Sequence, residues 1–448
     1  MKIKNIFKFL IIAFLTAQLG ACVSNEAEQK FDQTPAERLN AREKELNDLL
    51  LSAEYGWKAV YFTDNTQLGG FTHLFKFSAD GKVAMASDFD SDTSTYNSDY
   101  SIEIGSTISL VFTTKNRIHL LSDSNNFPVP GLKGRGYEGD FQFLYYGEEN
   151  GEIIFKTKRS FEELRFVKAT VEDWTDLELN TEMAQNVIGS EKRSLFRLLE
   201  INDGTNIHKL DFNYAPRPRF AIANSVEQGY NMSYNMGIAF TKTGIIVSPA
   251  VVVNDQELTE FIYDDSTGSF TATGTNGVSA AIKYTDKPLI LTDDYTLLLP
   301  GIGNGNNAYA YIHDYTELEG ANSALFLSLL NDIEEANGEP LQRAQFWFNN
   351  ADGTNYVEYR FGNVSYYHYF TLKADDVNKT ITFIPDAWKS GRNPKSPTIT
   401  APSFLKTLDD EFMNPQGLYF AEIPVVGYRA YTFTSTTTPF RMVAYSFQ

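Results

Sequence analysis

The chain has 448 residues, with 38 Lys and Arg against 57 Asp and Glu, and one cysteine. Hydrophobic residues make up 42% and aromatics 14%, enough for sizeable cores, so wholesale disorder is excluded and about two to four domains are expected. A net charge of −19 repels phosphate backbones and argues against nucleic acid as a ligand, and a lone cysteine excludes an internal disulfide, a multi-cysteine zinc site and a Cys-x-x-Cys pair.

Lys2, Lys4 and Lys8 precede a short apolar run, Phe9 to Ala17. At about 1.5 Å per residue that run cannot cross a hydrocarbon core of roughly 30 Å, so residues 1–21 read as a signal peptide. Leu19-Gly20-Ala21-Cys22 resembles the bacterial lipobox. The resemblance implies cleavage before Cys22 and lipid on its sulfur and new amino group, a multi-chain anchor that holds stably. The alternative is a secreted protein with a chance cysteine. Residues 22–33 are polar and unpatterned, as a tether is. Ser24, Asn25, Glu26 and Glu28 resemble in part the acidic signal that displays lipoproteins on the outer face of the outer membrane. Cell-surface display is expected, with the periplasmic face as the alternative.

Thr34-Pro35-Ala36-Glu37 is a capping box with proline at the first helical position, and Leu39, Leu46, Leu49 and Leu50 recur at helical spacing to about Ser52. Short aromatic and β-branched segments follow: 57–62, 71–77, 83–86, 108–112, 118–121, 141–146 and 153–156. Asp80-Gly81 and Asn150-Gly151 mark hairpin turns. A second helix is expected from about Thr181 to Leu199, and a third from Asn322 to Ala336, stopped by Asn337-Gly338. Strands follow each, at 208–214 and 343–348, with further hairpins at 237–247 and 369–383. Residues 385–402 form a long proline-containing loop or lid, Ser403 caps a short helix, and closing strands run to Phe447.

The expected fold is therefore α+β and β-dominated, with antiparallel meanders and a few packed helices. Helix starts near 34, 181 and 322 divide the mature chain into three related α+β units at 34–170, 171–320 and 321–448. Chance similarity among β-rich segments is the competing reading.

No zinc-protease, Walker or nucleophile-elbow motif is present. The five histidines, His73, His119, His208, His313 and His368, are scattered without ligand spacing. Gly134 to Gly139 matches Gly-x-Gly-x-x-Gly, but a strand follows it where a dinucleotide site needs a helix. Asp88, Asp90 and Asp92 alternate as Ca²⁺ ligands can. An EF-hand loop would need Gly and Glu where Thr93 and Asp99 stand, so a solvated acidic loop competes with a looser Ca²⁺ site. Aromatics that could stack on a sugar or peptide are Tyr145, Tyr146, Tyr366, Tyr367, Tyr369, Trp347 and Trp388, with core packing as the alternative for each.

Phe31 to Leu39, then Leu50 to Phe62, Gly69 to Thr72, Phe75 to Phe77, Val83 to Asp88, Glu138 to Phe143 and Glu152 to Lys156 occur in this order. Together they resemble the domain of unknown function 4302 family, putative lipoproteins of the phylum that includes gut polysaccharide degraders. The family has no established activity, so the resemblance supplies no catalytic residue. It implies a surface or periplasmic lipoprotein, often made alongside an outer-membrane transporter and its binding lipoprotein. The expectation is non-catalytic capture of a glycan, peptide or other nutrient. The alternatives are a surface hydrolase with a spatially assembled site and a protein-interaction subunit of a surface complex.

Overall fold

The computed structural model describes residues 34–188, 193, 195–301, 307–316, 318, 321–423 and 428–447. The expected leader, the expected cleavage motif Leu19, Gly20 and Ala21, the expected lipidation residue Cys22 and the expected tether lie outside them. The strand and helix patterns assemble into three closed antiparallel barrels of eight strands each.

Helix α1 (Pro35–Ser52) starts on the expected capping box: Thr34 Oγ1 accepts from Glu37 N at 3.3 Å, and Glu37 Oε2 accepts from Thr34 N at 2.8 Å. Its Leu46 and Leu50 enter the first barrel's core, and Trp57 Nε1 donates to Leu50 O at 3.0 Å. That barrel comprises β1 (Trp57–Phe62), β2 (Gly70–Phe77), β3 (Lys82–Ser87), β4 (Tyr96–Ile104), β5 (Ile108–Phe112), β6 (Gln142–Glu149), β7 (Glu152–Thr157) and β8 (Glu163–Lys168). β8 returns to β1 through Trp57↔Lys168 and Lys58↔Val167. Alternation sends Phe75, Phe112, Phe143, Phe155 and Phe166 inward, where Phe75 and Phe166 stack at 4.7 Å. Outside, Arg165 is paired to Glu149, Glu152 and Glu163. An apolar, filled interior with charged outer faces is the reverse of a membrane-spanning barrel.

Helices α2 (Val171–Thr175) and α3 (Leu177–Ile188) lead to the second barrel: β9 (Phe196–Asp203), β10 (Ile207–Ala215), β11 (Phe220–Ser225), β12 (Ser233–Thr241), β13 (Gly244–Val253), β14 (Gln256–Asp264), β15 (Ser269–Thr273) and β16 (Val278–Thr285). β16 closes on β9 through an eight-residue register, Val278↔Asp203 to Thr285↔Phe196.

The third barrel comprises β17 (Asn307–Ile312), β18 (Arg343–Phe348), β19 (Asn355–Phe361), β20 (Val364–Asp375), β21 (Thr380–Lys389), β22 (Leu418–Ile423), β23 (Ala430–Ser435) and β24 (Arg441–Phe447). Here α4 (Ala324–Asn337) falls between the first and second strands, whereas α1 and α3 precede their barrels. β17 takes the slot between β24 and β18, so counting from the helix it stands where the eighth strand stands in the other two barrels. The third unit thus begins at β17 rather than at residue 321, because a strand ahead of the helix pairs forward with β18 and β24. Helix α5 (Lys406–Phe412) packs Leu408 and Phe412 into this barrel.

Two further expectations are corrected. Residues 118–121 are part of a 3-10 helix, Arg117–Ser122, capped by Asn116 Oδ1, which accepts from Arg117 N at 2.7 Å. Ile118 and Leu121 are buried three apart on one helical side, not two apart on a strand. The second helix is described over Leu177–Ile188, and Phe196 already opens β9 where helix was expected, because Phe196 to Asp203 have long-range partners on β16 that outweigh local helix propensity.

The first two barrels meet backbone to backbone. Gly69 N donates to Pro218 O at 2.8 Å. A Cβ on Gly69 would lie 2.3 Å from Arg219 O, and one on Gly237 2.4 Å from Leu68 O. Only glycine fits at either place. The second and third barrels touch at Phe196 and Tyr419, edge to face at 5.4 Å.

Candidate ligand-binding face

The aspartates of the suggested Ca²⁺ loop do not converge on one site: Asp88 turns to Arg219, whereas Asp90 and Asp92 both face Arg117. Asp88 is fully buried between the first two barrels, where its carboxylate accepts from Thr72 N (2.9 Å), Asn180 Nδ2 (3.0 Å) and Arg219 Nη1 (3.1 Å). Asp90 pairs with Arg117. Asp92 accepts from Tyr96 O–H at 2.6 Å and Ser94 N at 3.1 Å, and these bonds hold its pKa below the ordinary aspartate value. Among the described residues, no group of three or more His, Cys, Asp or Glu is placed to hold a metal ion.

The aromatic candidates separate by face. Tyr145 points into the first barrel, fully buried, and donates to Glu45 Oε1 at 2.7 Å; its neighbour Tyr146 is half exposed beneath Lys156. Tyr366 packs on Phe361 and Phe404. Trp388 is buried inside the third barrel, stacked on His368 at 4.5 Å and on Tyr359 at 5.7 Å. Tyr145, Tyr367, Tyr369 and Trp388 are all buried and therefore offer no open ring to a ligand.

His368 and Asp409 form a buried pair: Nδ1 lies 2.9 Å from Asp409 Oδ1, which also accepts from Tyr359 O–H at 2.8 Å. A hydrolytic triad needs a hydroxyl or thiol on the far ring nitrogen. Among the described residues none hydrogen-bonds His368. The pair ties α5 to the barrel wall.

The outer face of β18–β20 carries a different assembly. Strand register aligns two rows across it: Trp347–Tyr356–Tyr369, and Gln345–Glu358–Tyr367–Lys389. Outward positions of a solvated sheet are normally polar, so a four-ring cluster of Trp347, Tyr356, Tyr367 and Tyr369 is unusual there. Tyr356 lies 6.4 Å from Trp347, 5.8 Å from Tyr367 and 5.2 Å from Tyr369. Glu358 is buried among them and accepts from Ser365 Oγ at 2.8 Å and Tyr367 O–H at 3.4 Å.

The proline-containing loop is pinned over this face. Tyr369 O–H donates to Arg392 O at 2.6 Å, Lys389 Nζ donates to Pro394 O, and Ser390 N donates to Pro397 O at 3.0 Å. Arg392 reaches back to Glu358, its Nε 3.9 Å from Oε2, yet its side chain is 64% exposed. Burial pushes the phenols of Tyr356 and Tyr369 up to about 12, so both remain O–H donors at neutral pH. Trp347 is partly exposed, and its indole N–H has no protein acceptor. A ligand arriving here meets the partly exposed Trp347 and the Arg392 guanidinium; the Trp347 indole N–H and the Tyr356, Tyr367 and Tyr369 rings are buried beneath them. Sequence reading named Trp347, Tyr367 and Tyr369 but missed Tyr356 and Glu358. Their two-residue alternation along β19 was the available signal; the register that groups them was not.

The fold is thus an array of three eight-stranded antiparallel barrels with filled cores, carrying an aromatic face on the last. The chain matches the profile described as "Domain of unknown function (DUF4302)" over residues 27–265, more than half its length. It belongs to that family. The match covers the first barrel and the second through β14; the aromatic face lies beyond it. No curated protein matches the chain. Among solved structures, a DNA polymerase sliding clamp from Bacillus subtilis is similar at 10% identity and a TM-score of 0.16, over 89% of this chain and 92% of that one, a likeness too low to carry an argument.

Proposed function

We propose that the protein is a non-catalytic capture or accessory lipoprotein of the cell envelope. Lipid on Cys22 holds it at the outer membrane, facing the cell surface, and the outer face of β18–β20 contacts the ligand. The observation that carries the ligand part is the clustering of Trp347, Tyr356, Tyr367 and Tyr369 around buried Glu358 and exposed Arg392. A sugar ring presents C–H faces that lie on an exposed aromatic side chain such as Trp347 and hydroxyls that bond a guanidinium such as that of Arg392. A glycan therefore fits this chemistry better than an anion or an extended apolar chain. Tethering would raise the local concentration of such a surface beside an outer-membrane transporter.

Titration of the purified protein against a panel of glycans and peptides tests the reading. Saturable glycan binding is expected, weakened about tenfold or more by Trp347→Ala at unchanged melting temperature. Binding indifferent to Trp347→Ala and Arg392→Ala would remove this face from the proposal.

A further inference from the structure

One side chain breaks the apolar order inside the first barrel. His73 lies on β2 between the core residues Phe71 and Phe75, fully buried, and neither ring nitrogen has a protein hydrogen-bond partner. Its in-register neighbours are Ala59 on β1 and Ser87 on β3, both small. Arg117, buried in the 3-10 helix, adds an Nε–H that likewise has no protein acceptor. Native cores rarely leave such groups uncompensated, and the usual partner is an internal water with two to four polar contacts.

The surroundings discriminate among ligands. A protein-bound metal ion commonly takes three or more donor residues, and among the described residues no group of three or more His, Cys, Asp or Glu is placed to hold one. An anion would need a free cation, but Arg117 is paired with Asp90 and Asp92, and Arg219 with Asp88. Burial, with the two arginines, pushes the His73 pKa down to about 3, so the ring is neutral. A neutral imidazole presents one N–H and one lone pair, and water can serve either. We propose that the first barrel holds at least one ordered water hydrogen-bonded to His73 as a structural ligand.

A crystal structure of the protein at about 1.8 Å tests this. The expected result is a discrete density peak about 2.7–3.2 Å from a His73 ring nitrogen, lost in His73→Phe, whose ring removes both polar atoms. Should that variant not fold, cross-relaxation from bound water to the wild-type His73 ring protons in solution is the expected signal. Ring nitrogens bonded only to protein atoms, or contacting carbon alone, would overturn the proposal. Neither result bears on the aromatic face of the third barrel.

Discussion

Arg219 of the second barrel donates through Nη1 to Asp88 Oδ1 of the first at 3.1 Å, and both side chains are buried. The guanidinium also lies over the rings of Phe71 at 4.2 Å and Phe240 at 5.1 Å, one from each barrel. Removing either charge strands the other without water. Arg219→Met is expected to cost about 3–5 kcal/mol, seen as a lower urea midpoint and faster proteolysis across residues 169–195. Adding Asp88→Leu should recover much of that loss, since an apolar pair replaces a lone buried carboxylate. An unchanged midpoint in the single variant would mean that the pair does not hold the barrels together.

Gly237→Ala places a methyl group against Leu68 O, and backbone cannot step aside as a flexible side chain can. A loss of about 1–3 kcal/mol or more is expected, with increased hydrogen exchange in β2 and β12. Gly131→Ala is the control, since nothing lies within 4 Å of its added carbon. Equal effects from the two would discount the backbone contact.

Two histidines impose opposite pH dependences. His208 stacks on Tyr230 at 3.7 Å and lies between Glu227 (2.8 Å) and Asp203 (3.5 Å); the Glu227 hydrogen bond is the main cause of its raised pKa. Its contribution is complete below the ordinary value near 6.5 and is lost as pH rises through the raised one. Exchange in residues 226–232 should therefore quicken over that interval, and His208→Gln should abolish the dependence. His73 works the other way. Its pKa, lowered mainly by burial, makes stability fall as pH drops below about 6.5. His73→Phe should flatten the acid limb of the stability curve.

Trp388→Ala removes a ring stacked on both His368 and Tyr359. A cost of about 3–5 kcal/mol is expected in thermal or urea melts. Weaker ligand binding by that variant would report a loosened barrel, whereas Trp347→Ala tests the surface. A melt unchanged by Trp388→Ala would contradict its place in the core.

Replacing Cys22 by Ala is expected to move the protein from membranes to the soluble fraction, as the proposed lipid anchor requires. Continued sedimentation with membranes would assign the anchoring to something else.

Local chemistry was readable in the sequence. Thr34 and Glu37 specify a helix start, Gly338 ends α4, and Asn150-Gly151 turns with both residues in the left-handed region. Adjacent aromatics split between faces as alternation requires, Tyr145 inward and Tyr146 outward. Closure was not readable, because it depends on pairs such as Trp57↔Lys168 and Ala308↔Phe447, which no local pattern encodes. β4 and β8 were missed for a related reason. Tyr96–Ile104 and Glu163–Lys168 are rich in polar and charged residues, and only their partners make them strands. The aromatic face was half visible for the same cause: the rings could be named, but which of them share a side depends on register.

Where Gly69 and Gly237 meet there is no cushion of side chains to slide or re-pack. Surfaces padded by long residues can roll over one another; two main chains in direct apposition cannot. A pull applied at the amino-terminal barrel is therefore expected to reach its neighbour through main chain at this point.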